Sequence, residues 1–189
     1  MLTEHAENLV KAFGYLYHDE AELLQEYAKK IPENGVCINI GAGTGTSAVC
    51  VLEVRPDLTK TFYTIDINNH NTPLGGLLNE RNAFDNYNMP YPNQIHSDSI
   101  KAGKEWKKGK VDFLIIDGDH STKGATGDII SWKQHLKKGA IVFVHDYHEN
   151  LWGDVVKVVN ELMFDSDDFK FVERRNTYVV FEYVGKEKE

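Results

Sequence analysis

Apolar positions along the chain change their period near residue 35. Before it, Leu9, Phe13, Leu16, Leu23 and Leu24 fall at helical spacing over 5–30, with a break near His18 to Glu20. After it come short, nearly unbroken apolar runs: VCINI at 36–40, TFYTID at 61–66, VDFLIID at 111–117 and AIVFVHD at 140–146. Such runs suit strands buried on both faces of a parallel sheet. Helical patterns separate them, over 45–54, about 73–87 and about 123–137. In the last of these, Ile129, Ile130 and Leu136 are expected to face the sheet, and Lys123, Asp128 and Lys133 to face water.

A further helix is expected over 153–163, followed by runs at 169–173 and 177–184. Arg174, Arg175 and Asn176 between those runs are short enough for a hairpin turn, so the last pair reads as antiparallel. The sum is an open α/β sheet, mostly parallel, with an antiparallel edge hairpin. No linker divides it. One domain over 1–189 is expected, with an N-terminal helical extension over 1–32, a core over 33–184 and a solvated tail over 185–189. The extension could act as a lid, as part of a homodimer, or as cladding.

Composition narrows the function classes. The 189 residues hold 21 Lys plus Arg against 29 Asp plus Glu, a formal net charge of −8. Broad nucleic-acid binding needs basic surface, so no nucleic-acid partner is expected. No run approaches the roughly 20 apolar residues of a bilayer span, and the charged start MLTEHAENLVKAF does not read as a signal peptide. A cytoplasmic protein with no membrane partner is expected. Cys37 and Cys50 are too few for a disulfide framework or a four-thiolate zinc site, and read as inert small hydrophobes.

Ligands of open α/β sheets bind beyond the carboxyl ends of the strands. The first strand runs into Asn39-Ile40-Gly41-Ala42-Gly43-Thr44-Gly45-Thr46, ahead of a helix. Glycines there permit a tight turn and a close ligand, and the helix N-terminus offers free N–H groups. A dinucleotide fingerprint would need glycine at 46, where Thr46 stands. The spacing therefore favours a ligand with no pyrophosphate. Asp66 ends the second strand, placed to accept both hydroxyls of a ribose. Together these features favour a nucleoside-type cofactor.

On these residues the chain resembles the class I S-adenosylmethionine-dependent methyltransferases over roughly 30–184, which implies a Rossmann-like, doubly wound fold. The resemblance implies that Gly41, Ala42, Gly43 and Gly45 lie under the methionine and ribose of S-adenosylmethionine, with Asp66 on the ribose. It also implies that Asp98, in Ile95-His96-Ser97-Asp98-Ser99, faces the adenine amino group, with Ser99 and Asp117 adjoining the cofactor. Asn39 departs from the family, which commonly has an acid there. An amide still hydrogen-bonds the loop or the ligand but brings no charge to an ammonium group.

The densest local motif is Ile116-Asp117-Gly118-Asp119-His120-Ser121, paired with His145-Asp146-Tyr147-His148 on the neighbouring strand end. Asp117, His145 and Asp146 offer oxygen and nitrogen ligands to a divalent metal such as Mg²⁺ or Mn²⁺. The two runs resemble the macrocin O-methyltransferase and cephalosporin-biosynthesis group within the family, and catechol O-methyltransferase has a similar metal arrangement. That resemblance implies a hydroxyl on a small-molecule acceptor, with Asp119 as the base. Without metal, His145 would be the better base. His120 and His148, taken singly, read as ordinary loop residues. Trp152 and the long stretch 68–93 are candidates for the acceptor pocket and a lid. Two alternatives remain open: a nicotinamide-dependent oxidoreductase, disfavoured by Thr46 and by the lack of a Tyr-x-x-x-Lys run, and a non-catalytic nucleoside-binding module.

Overall fold

The computed structural model describes residues 1–13, 15–69 and 75–186. The N-terminal segment forms α1 (Glu4–Phe13) and α2 (His18–Ala28). Then come β1 (Cys37–Ile40), α3 (Thr46–Val54), a 3₁₀ turn (Pro56–Lys60), β2 (Phe62–Asp66), α4 (Leu77–Asn86) and β3 (Asn93–His96). The second half holds α5 (Ser99–Glu105), β4 (Val111–Ile116), α6 (Thr122–Lys133), β5 (Leu136–Val144) and α7 (Gly153–Val159). A π-helical turn (Asn160–Phe164), β6 (Phe169–Arg175) and β7 (Tyr178–Tyr183) complete it.

All seven strands join one sheet in the order β3-β2-β1-β4-β5-β7-β6. The first five are parallel, and β7 pairs antiparallel with both β5 and β6. This is the expected Rossmann-like, doubly wound α/β sheet with an antiparallel hairpin. Strand order reverses between β1 and β4, and such switch points open a crevice at the carboxyl edge.

Alternate residues of each strand serve opposite faces. Cys37, Phe62, Phe113, Ile115, Phe143 and Tyr178 pack with α1, α2, α3 and the Ala83–Phe84 part of α4. Ile38, Ile40, Leu114, Ile116, Val142, Val144 and Phe181 pack with α5, α6 and α7. Both faces are covered, which explains the unbroken apolar runs. Cys37 and Cys50 are fully buried, and burial pushes both thiols well up, in keeping with inert cysteines.

Several local expectations need correction. Leu136 opens β5 rather than closing α6, and Ile130 is 58% exposed while Asp128 is buried. Helix α6 turns its Ile129 and Trp132 inward, and Asp128 goes with them. The α5 helix was not foreseen; its seven residues include Lys, Gly and Lys and carry little apolar periodicity. The helix expected over about 73–87 begins at Leu77; its first part, like most of the tail at 185–189, lies outside the described residues. The stretch 68–93 is therefore no simple loop, because α4 fills much of it.

Candidate active site

The glycine loop is shaped by neighbouring backbone as much as by space for a ligand. Gly41 has φ +90°, and a Cβ there would lie 2.0 Å from the Asp117 carbonyl oxygen, so only glycine lets the β1 and β4 ends approach. Gly45, at φ +88°, has α4 against it: a Cβ would meet Glu80 Cα at 3.1 Å and Ala83 Cβ at 3.2 Å. At Gly43 a Cβ would meet nothing within 4 Å, although Gly43 O accepts from Gly76 N at 2.9 Å.

Asp66 ties this loop to β2. One carboxylate oxygen accepts Ala42 N at 2.8 Å and the other accepts Asn68 N at 2.7 Å. Asn39 is fully buried below the loop. Its amide donates to Gly41 O at 3.0 Å, while Oδ1 has no hydrogen-bond partner. Asp98 is exposed and caps α5, accepting Lys101 N at 2.8 Å. Ser99 turns to Asp128, to which its hydroxyl donates.

That buried Asp128 was missed as a site neighbour, because Asp in a helix pattern reads as solvent-facing. Its Oδ2 would lie 2.9 Å from a Cβ on Gly118, so it sits behind both the β3 and β4 loops. Burial pushes its carboxyl up to about 6, against the lowering effect of Ser99. Glu80 is a second buried acid with no sequence signal. It accepts from Thr64 Oγ1 and Gln94 Nε2, each at 2.8 Å, and burial raises it to about 7.

At the β4 and β5 ends the foreseen acids do converge. Asp117, His120 and Asp146 each bring a ligand atom within 4.8 Å of the others. Asp146 adopts φ +58°, a conformation aspartate tolerates better than most residues. His120 Nε2 pairs with Asp146 Oδ2 at 2.8 Å and lies 3.9 Å from Asp117 Oδ1. The Asp117 and Asp146 carboxylates push His120 up to about 9, against burial. Its ring stacks on Trp152 with centroids 4.2 Å apart.

His145 also converges on the two acids, from the buried side. It is 7% exposed, with Nδ1 3.3 Å from Asp117 Oδ1 and 3.2 Å from Asp146 Oδ2. Its Nε2 faces Glu20 Oε2 at 3.5 Å. Burial would lower its pKa, but the Asp117 charge outweighs that and raises it well above its ordinary value. Burial would likewise raise Asp117 and Asp146, and the two histidines pull both below the usual carboxylate range. His145 supports the acids from beneath.

A cavity of about 540 Å³ opens beside this cluster, lined by Asp119, His120, Ser121, Leu151, Trp152, Gly153 and Asp154. Its size is that of a small-molecule site. Asp119 is brought to its wall and His145 is not. Both Asp119 oxygens accept from Ser121, through its N–H at 3.0 Å and its hydroxyl at 2.8 Å, which lowers the Asp119 pKa.

A family model described as a methyltransferase domain matches residues 38–147, from the first strand to just past Asp146. The chain belongs to this methyltransferase family. The nicotinamide alternative is thereby set aside. No curated protein matches the chain by sequence. Among solved structures, a Corynebacterium glutamicum protein is 13% identical with a TM-score of 0.74, covering 97% of this chain and 90% of its own. An SAH-bound methyltransferase from Podospora anserina is also 13% identical, at TM-score 0.73, covering 97% and 89%. A proposed caffeoyl-CoA O-methyltransferase from Staphylococcus aureus is 14% identical, at TM-score 0.72, covering 97% and 93%. At such identities the likeness speaks for the fold. Among the described residues no helix is long and apolar enough to cross a membrane.

Proposed function

We propose that this methyltransferase transfers the methyl group of S-adenosylmethionine to a hydroxyl of a small-molecule acceptor, with a divalent metal at Asp117, His120 and Asp146. One observation carries the reading: the glycine loop with Asp66 and the Asp117–His120–Asp146 cluster share one carboxyl edge, and the cluster opens on the 540 Å³ cavity. S-adenosylmethionine fits the donors of the first part. The buried, unpartnered Asn39 Oδ1 offers an acceptor to an ammonium group, Asp66 keeps lone pairs for a ribose, and the exposed Asp98 carboxylate after β3 could accept from an adenine amino group. The SAH-bound relative supports that cofactor.

The second part fits a cation. Two carboxylates and an imidazole bring one ligand atom each within 4.8 Å of the others, a donor set that suits a divalent ion. This moves the nitrogen ligand from His145 to His120, because His120 lines the cavity while His145 is buried away from it. A bound Mg²⁺ or Mn²⁺ supplies Lewis acidity that makes an acceptor hydroxyl more acidic.

The chain's own residues do the rest. Trp152 offers a flat apolar wall that orients the acceptor, and closing the acceptor against it excludes water. Asp119, at the cavity wall, would receive the hydroxyl proton only once the acceptor hydroxyl is made more acidic, because the Ser121 bonds lower its own pKa. His145 does not line the cavity and is buried, so it is not set to meet the acceptor. Calorimetric titration with S-adenosylhomocysteine, repeated with and without Mn²⁺, tests the reading. Binding below about 100 μM is expected. No binding at millimolar concentration would sink the cofactor assignment.

A further inference from the structure

Glu20 lies on α2, far along the chain from the acidic cluster. It is the third residue of its helix, a position from which glutamate commonly reaches back to cap the backbone and stays in water. Glu20 does accept Tyr17 N at 2.9 Å, yet it is 0% exposed. Capping alone gives no reason to bury a carboxylate. Its Oε1 accepts the N–H and the hydroxyl of Thr177, both at 2.7 Å, which fixes the group against β7. Its Oε2 is left 3.5 Å from His145 Nε2.

The imidazole is thus gripped from two sides. Nδ1 faces Asp117 and Asp146, Nε2 faces Glu20, and the Tyr178 ring leans on it with centroids 4.5 Å apart. Asp117 and Asp146 repel each other, and a donor shared between them fixes where their remaining lone pairs point. A ring free to turn would not do so. Groups that orient ligands from behind matter to metal affinity nearly as much as the ligands themselves.

We propose that Glu20 is a positioning residue: it holds the His145 ring so that Nδ1 stays presented to Asp117 and Asp146, and so sets the two acids for a divalent cation. The cation half of this rests on the ligand assignment proposed above. The N-terminal helices, on this view, are part of the active site and more than cladding.

Mn²⁺ affinity of the full chain, read from the paramagnetic resonance signal of free Mn²⁺, tests it in wild type, Glu20→Gln and Thr177→Val. Glu20→Gln keeps the size and one acceptor oxygen; Mn²⁺ binding about tenfold weaker is expected, with S-adenosylhomocysteine affinity within twofold. Thr177→Val removes one of the bonds to Oε1 and is expected to weaken Mn²⁺ binding about two- to threefold. In metal-free protein, the ¹⁵N resonances of the His145 ring report its contacts at both nitrogens, and the Nε2 resonance should shift in Glu20→Gln. Unchanged Mn²⁺ affinity together with an unchanged ring spectrum overturns the proposal. Should wild type bind no Mn²⁺, the cation reading fails, and the ring spectrum alone decides the positioning role. If Glu20→Gln does not fold, an unaltered ring spectrum in Thr177→Val overturns it.

Discussion

The two ends of the site are made of different material. At the β1–β2 end the surface is mostly backbone: a glycine loop at positive φ, pinned by Asp66 to Ala42 N and by Gly43 O to Gly76 N. At the β4–β5 end it is side chains, drawn from α2, from the loops after β4 and β5, and from β7. A backbone site tolerates little change wherever an added atom would meet a neighbouring main chain, as at Gly41. A side-chain site can be retuned one residue at a time while the sheet stays put. A constant cofactor with variable acceptors is what such a division suits.

Three substitutions sharpen or break this contrast. The largest effect should come from Asp146→Asn, which keeps the φ +58° conformation but removes the charge facing both histidines. Turnover should fall on the order of 10³-fold, with S-adenosylhomocysteine affinity within twofold. A parallel loss of cofactor binding would show that the two ends are not separable. Next is Gly41→Ala, whose Cβ would lie 2.0 Å from the Asp117 carbonyl. Denaturant melts should show about 3 kcal/mol of lost stability. Gly43→Ala, with open space around it, should lose only about 1 kcal/mol. Equal losses would mean that the loop is not defined by its backbone neighbours.

An effect confined to one pH range concerns Glu80, under the glycine loop. Burial raises its carboxyl from 4.5 to about 7, so the folded chain keeps a proton that the unfolded chain has lost. Its stability penalty is absent below about pH 4.5, grows through the window from 4.5 to 7, and is constant above it. Glu80→Gln removes the penalty but gives up a strong acceptor for Thr64 or Gln94. A net gain of about 1–2 kcal/mol relative to wild type is expected at pH 8, and none at pH 5. A variant equally stabilised at both values would contradict the assigned cause.

The same contrast explains what was legible in the sequence. Strands buried on both faces announce themselves as apolar runs, and a backbone loop is written in consecutive residues, so β1, Gly41 to Gly45 and Asp66 could be read from spacing. Asp117 and Asp146 were readable too, since Asp117 directly follows β4 and Asp146 stands two residues past β5. Which histidine stands among the ligand atoms was not. His120 and His145 sit in equally polar runs, and only the three-dimensional path shows one ring against Trp152 at the cavity and the other walled in by Glu20. Glu20, Glu80 and Asp128 were illegible for a related reason. Each lies in a helical pattern where an acid ordinarily faces water, and each is buried by a partner distant in sequence.

The partnership of Glu20 with Thr177 also bears on how the chain acquires its shape. The two residues are 157 positions apart, and β7 enters the sheet between β5 and β6. During synthesis the five parallel strands can assemble while the last hairpin is still being made, leaving β5 as an unpaired border. Only when β7 slots in does Glu20 gain the partner that fixes it. The cofactor side can therefore mature early, whereas the acidic side is the final piece to lock. A ribosome-stalled chain ending before residue 177 is consequently expected to retain the glycine loop and to have no ordered seat for His145.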